Sequence, residues 1–132
     1  MFCLGRCFEA PAVGLSETRP RIGIHSSQPV LLSRISNGGA RFLDEYCRTG
    51  GYQALDRALT ESREAVLASI EDSGLRGRGG AGFPAGRKWR AASVQTAVPK
   101  FIVANADEGD AGAFSDRFLM EDDPHAIIEG MA

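Results

Sequence analysis

Little in this sequence points to a secreted, membrane-spanning or nucleic-acid-binding protein. No apolar run approaches the roughly 20 residues needed to cross a bilayer, and the opening MFCLGRCFEAPAV lacks the length and order of regions of a secretory signal. Cysteine is scarce and odd in number: of three, Cys3 and Cys7 crowd the start and Cys47 stands alone, so a disulfide framework is not expected. An excess of one charge is also missing. Fifteen basic and 17 acidic residues leave a formal net charge of -2, so no global field favours nucleic acid or an anionic membrane, and any basic site must be local. Neither an internal repeat nor a low-complexity tract is present, and a hydrophobic share of 43% with 24% charged is ordinary for a globular chain. The expectation is a cytoplasmic protein with no membrane insertion and no nucleic-acid partner.

What the sequence has in plenty is glycine, 16 in 132 residues, more than the roughly 7% of average usage. They cluster in GLRGRGGAGFPAGRKW, Gly74 to Trp89, which contains G-x-G-x-x-G at Gly77, Gly79 and Gly82. A Rossmann fingerprint needs a strand before these glycines and a helix opening on them. Here a helical pattern precedes them, and Pro84 and Gly86 interrupt the residues after them. A Walker loop also fails, because Arg87 stands where lysine is required and Trp89 where a hydroxyl should reach magnesium. The chemistry still suits an anion beside a flat ring. Successive glycines expose backbone N–H groups as a nest, Arg76, Arg78, Arg87 and Lys88 add fixed positive charge, and Phe83 and Trp89 offer faces for stacking. Phosphates plus a stacked ring describe a nucleotide. A flexible linker would carry serine rather than two bulky aromatics, a proline and four cations.

The rest of the chain frames this loop. The first 35 residues mix short apolar runs with Pro11, Pro20 and Pro29, which suits extended segments. Helical spacing then appears at Phe42, Leu43 and Tyr46, breaks at Gly50-Gly51, resumes at Tyr52, Leu55 and Leu59, and returns at Val66, Leu67 and Ile70 before a stop at Gly74. KWRAASVQ reads as a further helix, and KFIVAN, Lys100 to Asn105, has the composition of a buried strand. At its end comes NADEGDAGAFSDR, with four carboxylates between Asp107 and Asp116. Asn105, Asp107, Glu108 and Asp110 are placed to offer hydrogen bonds to a ring, a ribose or a phosphate. The alternatives for these acids are a solvated loop or a calcium site, although their spacing is not that of an EF-hand. Asp123 as N-cap with Pro124 behind it marks a last helix. Cys47 is expected as a packed thiol, His125 in a polar or capping role, and Asp116 with Arg117 as an ion pair or loop brace.

SGLRGRGGAGFPAGRKW, NADEGDAGAFSDR, and then ME, DPH and IEGM closely resemble the NADH-binding, flavin-bearing subunit of respiratory complex I and its relatives in NAD-linked formate dehydrogenases and bidirectional hydrogenases. The resemblance runs from about Gly50 to Ala132. It implies an α/β fold, a partial Rossmann-like FMN-binding domain preceded by short helices, over residues 37–132. It implies a remnant of a thioredoxin-like iron–sulfur domain and linker over residues 1–36, since CLGRCFEAPAV resembles the end of such a domain. Cys3 and Cys7 would be the last two of four thiolate ligands of a two-iron, two-sulfur cluster whose first two are absent, so no metal site is expected here.

By the same resemblance, Gly77, Arg78, Gly79, Gly80, Ala81, Gly82, Gly86 and Lys88 belong to the FMN phosphate and NADH side with Phe83 available to the nicotinamide nucleotide, Asn105, Asp107 and Glu108 form the flavin-contacting group, and Asp110 makes a nicotinamide or water contact. Asp110 stands where many members have glutamate, and Ala91 where some have an aromatic. FMN and NAD are the implied cofactors, with iron–sulfur clusters only in the full-length relatives, and NADH and other subunits of a redox complex the implied partners. The implied chemistry is hydride transfer from NADH to FMN and onward electron transfer, with no catalytic side chain. The chain then reads as a fragment of such a module, the alternative being a truncated, non-catalytic nucleotide-binding or interaction module.

Overall fold

The computed structural model describes residues 23–78, 80–110, 113 and 115–132. Its regular elements are a 3-10 turn, Ile35–Asn37, followed by six short helices: α1 (Leu43–Arg48), α2 (Gln53–Thr60), α3 (Arg63–Asp72), α4 (Ala85–Ser93), α5 (Ser115–Asp122) and α6 (Pro124–Met131). They fall into two compact units. The first takes the described part of Met1–Gly51 together with Ala104–Met131, and the second takes Tyr52–Val103.

The sequence explains where these helices start and stop. The Glu45 carboxylate reaches back to accept the N–H groups of Arg41 and Phe42, closing the start of α1. At the other end Gly50 and Gly51 donate to the carbonyls of Cys47 and Tyr46, the paired bonds of a Schellman stop. The Ser62 hydroxyl accepts the Ala65 N–H at 3.2 Å and caps α3. Gly74, at φ +65°, ends that helix as its spacing predicts. Pro124 opens α6, also as expected.

The expected α/β architecture, a partial Rossmann-like domain, does not hold. The described residues are helical, and the one β pairing among them is an isolated antiparallel bridge between Arg76 and Pro84. Lys100 to Asn105, expected as a buried strand, is irregular chain without a ladder partner among the described residues. Phe101, Ile102 and Val103 are 81%, 66% and 81% exposed. A strand gains stability from cross-strand neighbours and a covered face, and this segment has neither. Its composition announces that it can be buried without supplying what would bury it. Of the thioredoxin-like remnant expected over residues 1–36, residues 1–22 lie outside the described residues, and residues 23–36 form irregular chain and a 3-10 turn.

The first unit packs Ile35, Ala40, Tyr46 and Phe118 around two buried carboxylates, Asp122 and Asp123, which end α5 and precede α6. Such groups remain buried only when answered by charge or hydrogen bonds. Arg41 holds Asp122 Oδ1 through Nε and Nη2 at 3.0 and 2.8 Å. Arg34 Nη1 lies 3.4 Å from Asp123 Oδ2, while its guanidinium stacks 4.4 Å from the centre of the Tyr46 ring. Asp123 Oδ1 is buried without a hydrogen-bond partner among the described residues.

The Tyr46 hydroxyl donates to the Glu129 carboxylate, and the His125 ring packs against it with centroids 5.6 Å apart. Burial first, and then that hydrogen bond, hold the Tyr46 phenol protonated well above the usual tyrosine range, with Arg34 opposing only in part. His125 thus sits beside Tyr46. Cys47, expected as a packed thiol, is exposed, because the helical face that turns inward is the one bearing Tyr46. Phe42 and Leu43, read onto that same face, are exposed as well.

The second unit holds α2, α3 and α4, with Leu67 as its buried apolar residue and Val66 and Ile70 half-buried beside it on α3. The helical spacing read over these three positions is therefore present.

Gly51 shows how closely the first unit is packed. A Cβ built there would stand 2.0 Å from Tyr46 Cδ1 and 2.1 Å from Cε1. Gly51→Ala is therefore expected to destabilise the unit by about 1–3 kcal/mol through overpacking. Gly130→Ala, in α6 where nothing lies within 4 Å, is expected to be neutral or stabilising by up to about 1 kcal/mol. Denaturant unfolding of the two variants checks the contrast.

Candidate functional site

The glycine stretch forms a closed loop between α3 and α4. Its base is a short ladder: Ala85 N–H donates to Leu75 O at 2.8 Å, Gly77 N–H to Phe83 O at 2.9 Å, and Arg76 and Pro84 form the antiparallel bridge. Arg76 Nη1 adds a bond to Gly82 O at 3.0 Å, so this cation is spent on holding the loop. Gly80 and Gly82 take φ +102° and +58°, conformations that favour glycine, and turn the chain at the tip. Gly79 lies outside the described residues.

Between Gly77 and Phe83, the N–H groups of Gly80, Ala81 and Gly82 make no hydrogen bond among the described residues. Nor does any described carboxylate pair with Arg78, Arg87 or Lys88. The Phe83 ring is half exposed, with the Arg87 guanidinium carbon and Lys88 Nζ each 5.7 Å from its centroid.

Pro84 and Gly86 do not interrupt the following helix, as the sequence suggested. Pro84 is extended and immediately precedes α4, which opens at Ala85 and carries Gly86 in its first turn. Proline tolerates this position because its missing N–H would have no helical acceptor. No side chain caps α4, and its first turn contains Arg87 and Lys88 but no acid. Gly86 is buried against α3: a Cβ there would lie 2.6 Å from Glu71 Cγ and 2.7 Å from Glu71 Cα.

At the same place Arg90 grips α3. Its Nε and Nη2 reach the two Glu71 oxygens at 3.1 and 2.6 Å, and Nη1 reaches both Glu64 oxygens at 2.8 Å. The fork from Arg90 holds the Glu71 carboxyl below the usual glutamate range, and the bonds from Glu71 and then Glu64 push Arg90 upward. This triad was not anticipated. The signal for it was Glu64 and Glu71 seven residues apart, two turns along one helical face.

The acidic segment belongs to the first unit. Asn105 Oδ1 accepts the Asp107 N–H at 3.0 Å, folding the segment's start into an Asx turn. Glu108 adopts φ +48°, unusual for a residue with a side chain. Its carboxylate accepts the N–H groups of Asp116 at 2.9 Å and Arg117 at 3.3 Å and the Ser115 hydroxyl at 3.2 Å, and so caps α5 from seven to nine residues away. Burial pushes the Glu108 carboxyl upward, but these hydrogen bonds to its charged form outweigh it and hold the carboxyl below the usual range.

Asp107 and Asp110 remain exposed, and the Asp110 carbonyl accepts the Ala113 N–H at 2.9 Å. Arg117 pairs with Glu121 at 2.8 Å rather than with Asp116. Cys3 and Cys7 lie outside the described residues. No helix among the described residues is long and apolar enough to cross a membrane.

Comparison with known proteins agrees with the resemblance read from the two segments. Residues 70–132 match the family model of the Nuo51 FMN-binding domain. The chain is 46% identical over 112 residues to an NADH-quinone oxidoreductase subunit of Aquifex aeolicus (strain VF5), covering 85% of this chain and 26% of the relative. It is 45% identical over 106 residues to an NADH-quinone oxidoreductase subunit of Rhizobium meliloti (strain 1021), covering 80% and 25%. It is 48% identical over 90 residues to the NADP-reducing hydrogenase subunit HndC of Solidesulfovibrio fructosivorans, covering 68% and 18%. The chain spans about a quarter, or less, of the length of these curated relatives.

The Glu108 cap yields a pH dependence. Because its folded-state pKa is lowered, its stabilisation is fully present above the ordinary glutamate value of about 4.3 and is lost as pH falls through the folded value. Glu108→Gln is expected to reduce stability at neutral pH, with the gap from the parent chain closing on acidification. Denaturant unfolding of both chains, followed by helical circular dichroism from pH 7 to pH 3, reads that gap.

Proposed function

From a stretch that matches an FMN-binding domain, we propose that this chain supplies part of an FMN and NADH site in an NADH dehydrogenase (diaphorase) module of a multi-subunit redox complex. The observation carrying this reading is the loop at the uncapped start of α4. Backbone N–H groups of Gly80, Ala81 and Gly82 that bond to no described residue occur in the same short segment as Arg78, Arg87 and Lys88, cations that no described carboxylate neutralises. That donor set fits a phosphate monoester: backbone amides and a helix N-terminus for its oxygens, with guanidinium and ammonium groups for its charge. A calcium or magnesium site would need the opposite chemistry.

In this reading Gly77, Arg78, Gly79, Gly80, Ala81, Gly82 and Lys88 hold the phosphate side, with Gly86 letting α4 seat closely behind them. Phe83 offers a ring face to the nucleotide. In the acidic segment, Asn105 contributes its side-chain NH2, and Asp107 and Asp110 contribute carboxylates that suit ribose hydroxyls or amide donors. Glu108 enters through the loop conformation it fixes. Bound FMN supplies hydride acceptance from reduced nicotinamide and release of single electrons to iron–sulfur centres. The chain's own residues bind and orient, and none is required as nucleophile or general base. A second reading, a nucleotide-binding or interaction module without redox turnover, draws support from the exposed Phe101, Ile102 and Val103, which offer apolar surface to another subunit.

The test is to titrate the chain with FMN, following quenching of flavin fluorescence, and then to add NADH and watch the flavin absorbance. Saturable quenching followed by bleaching supports the NADH dehydrogenase reading. Quenching without bleaching supports the module without turnover, and no quenching removes FMN from the proposal. Lys88→Ala is expected to weaken FMN by about tenfold, the equivalent of ~1.4 kcal/mol, and added salt to narrow the difference.

A further inference from the structure

Arg87, Lys88 and Arg90 are three cations within four positions of α4, yet they meet different surroundings. Arg87 and Lys88 have no described carboxylate partner, whereas Arg90 is shared between two. Gly86 and Arg90 are four residues apart and so lie on one face of α4. Both converge on Glu71: Gly86 through its backbone, against Glu71 Cα, and Arg90 through a two-point fork onto the Glu71 carboxylate. Glu64, two turns earlier on the same face of α3, takes the remaining arm of the guanidinium.

A backbone contact at one turn and a charged fork at the next hold α4 against rotation about its own axis. Each residue of a helix is turned about 100° from the last, so fixing Arg90 fixes the directions taken by Arg87 and Lys88. It also fixes the first turn of α4, on which the loop ladder closes through Ala85 N–H to Leu75 O.

We propose that Arg90 is a positioning residue for the nucleotide phosphate: neutralised by Glu64 and Glu71, it sets the rotation of α4 so that Arg87, Lys88 and the open start of the helix present together. The inference rests on the FMN reading above and deepens it. Lysine cannot replace arginine in this role, since one ammonium does not span two carboxylates with a planar fork. Exposed ion pairs add little to global stability, so the consequence falls on ligand geometry, where small misplacements are costly.

The test compares FMN with riboflavin, which has the same ring and no phosphate, by fluorescence quenching with the full 132-residue chain. The variants are Arg90→Ala, Arg90→Lys and the double variant Glu64→Gln with Glu71→Gln, with circular dichroism reporting helicity. All three are expected to weaken FMN by about five- to tenfold while changing riboflavin affinity less than about twofold, so that the ratio of the two affinities falls. The double variant decides between positioning and simple charge. It frees the Arg90 cation, so a residue acting only through its positive charge would tighten FMN, and that result overturns the proposal. Equal losses for FMN and riboflavin, or unchanged FMN affinity in Arg90→Lys and the double variant, also overturn it. If Arg90→Ala loses its helicity, Arg90→Lys and the double variant still read the ratio. Failure of the parent chain to bind FMN removes the functional reading and this inference with it, whereas binding by the parent with unaltered variants removes the inference alone.

Discussion

The loop between α3 and α4 depends on how closely those two helices approach. That approach is possible because Gly86 has no side chain: any Cβ would collide with the backbone and side chain of Glu71. The cost of glycine inside a helix, about 1 kcal/mol relative to alanine, is accepted here for contact between helices. The fork of Arg90 onto Glu71 and Glu64 works at the same contact, and the ladder from Leu75 to Ala85 closes immediately above it. The open loop tip is thus carried on a braced base, which distinguishes it physically from a glycine linker.

The other unit is organised differently. Among its described residues the apolar core is small, and much of their definition comes from polar groups answered one by one: Arg41 with Asp122, Arg34 with Asp123 and Tyr46, Tyr46 with Glu129, and Glu108 with the start of α5. Such groups are costly to strand in a poorly solvated interior and specific when paired. With so few buried apolar side chains among the described residues, the directions of these hydrogen bonds set their arrangement as much as packing does.

Local features were legible in the sequence and non-local ones were not. Gly50, Gly51, Gly74 and Pro124 mark helix limits because the responsible chemistry sits within a turn of each residue. The spacing of Val66, Leu67 and Ile70 found α3 for the same reason. KFIVAN misled because composition reports an apolar surface but not a neighbour, and sheet formation depends on the neighbour. Pro84 and Gly86 read as interruptions because both disfavour a helix interior, whereas one precedes the helix and the other makes its contact. Arg90 with Glu64, and Arg34 with Asp123, join residues 26 and 89 positions apart. No local pattern selects such partners from the other charges. The long glycine and acidic motifs were legible as motifs, and the family match over residues 70–132 falls on both.

The first turn of α4 has one further physical meaning. A helix carries partial positive charge at its N-terminus, which acidic residues and caps ordinarily relieve. Here two cations stand there with no cap and no acid, so the charges on Arg87 and Lys88 act against formation of their own helix. An anion at that position would relieve this electrostatic frustration. Helix stability and anion affinity would then be linked quantities, each raised by the other through a common free energy: the residues that weaken α4 on its own would be those that reward an anion there.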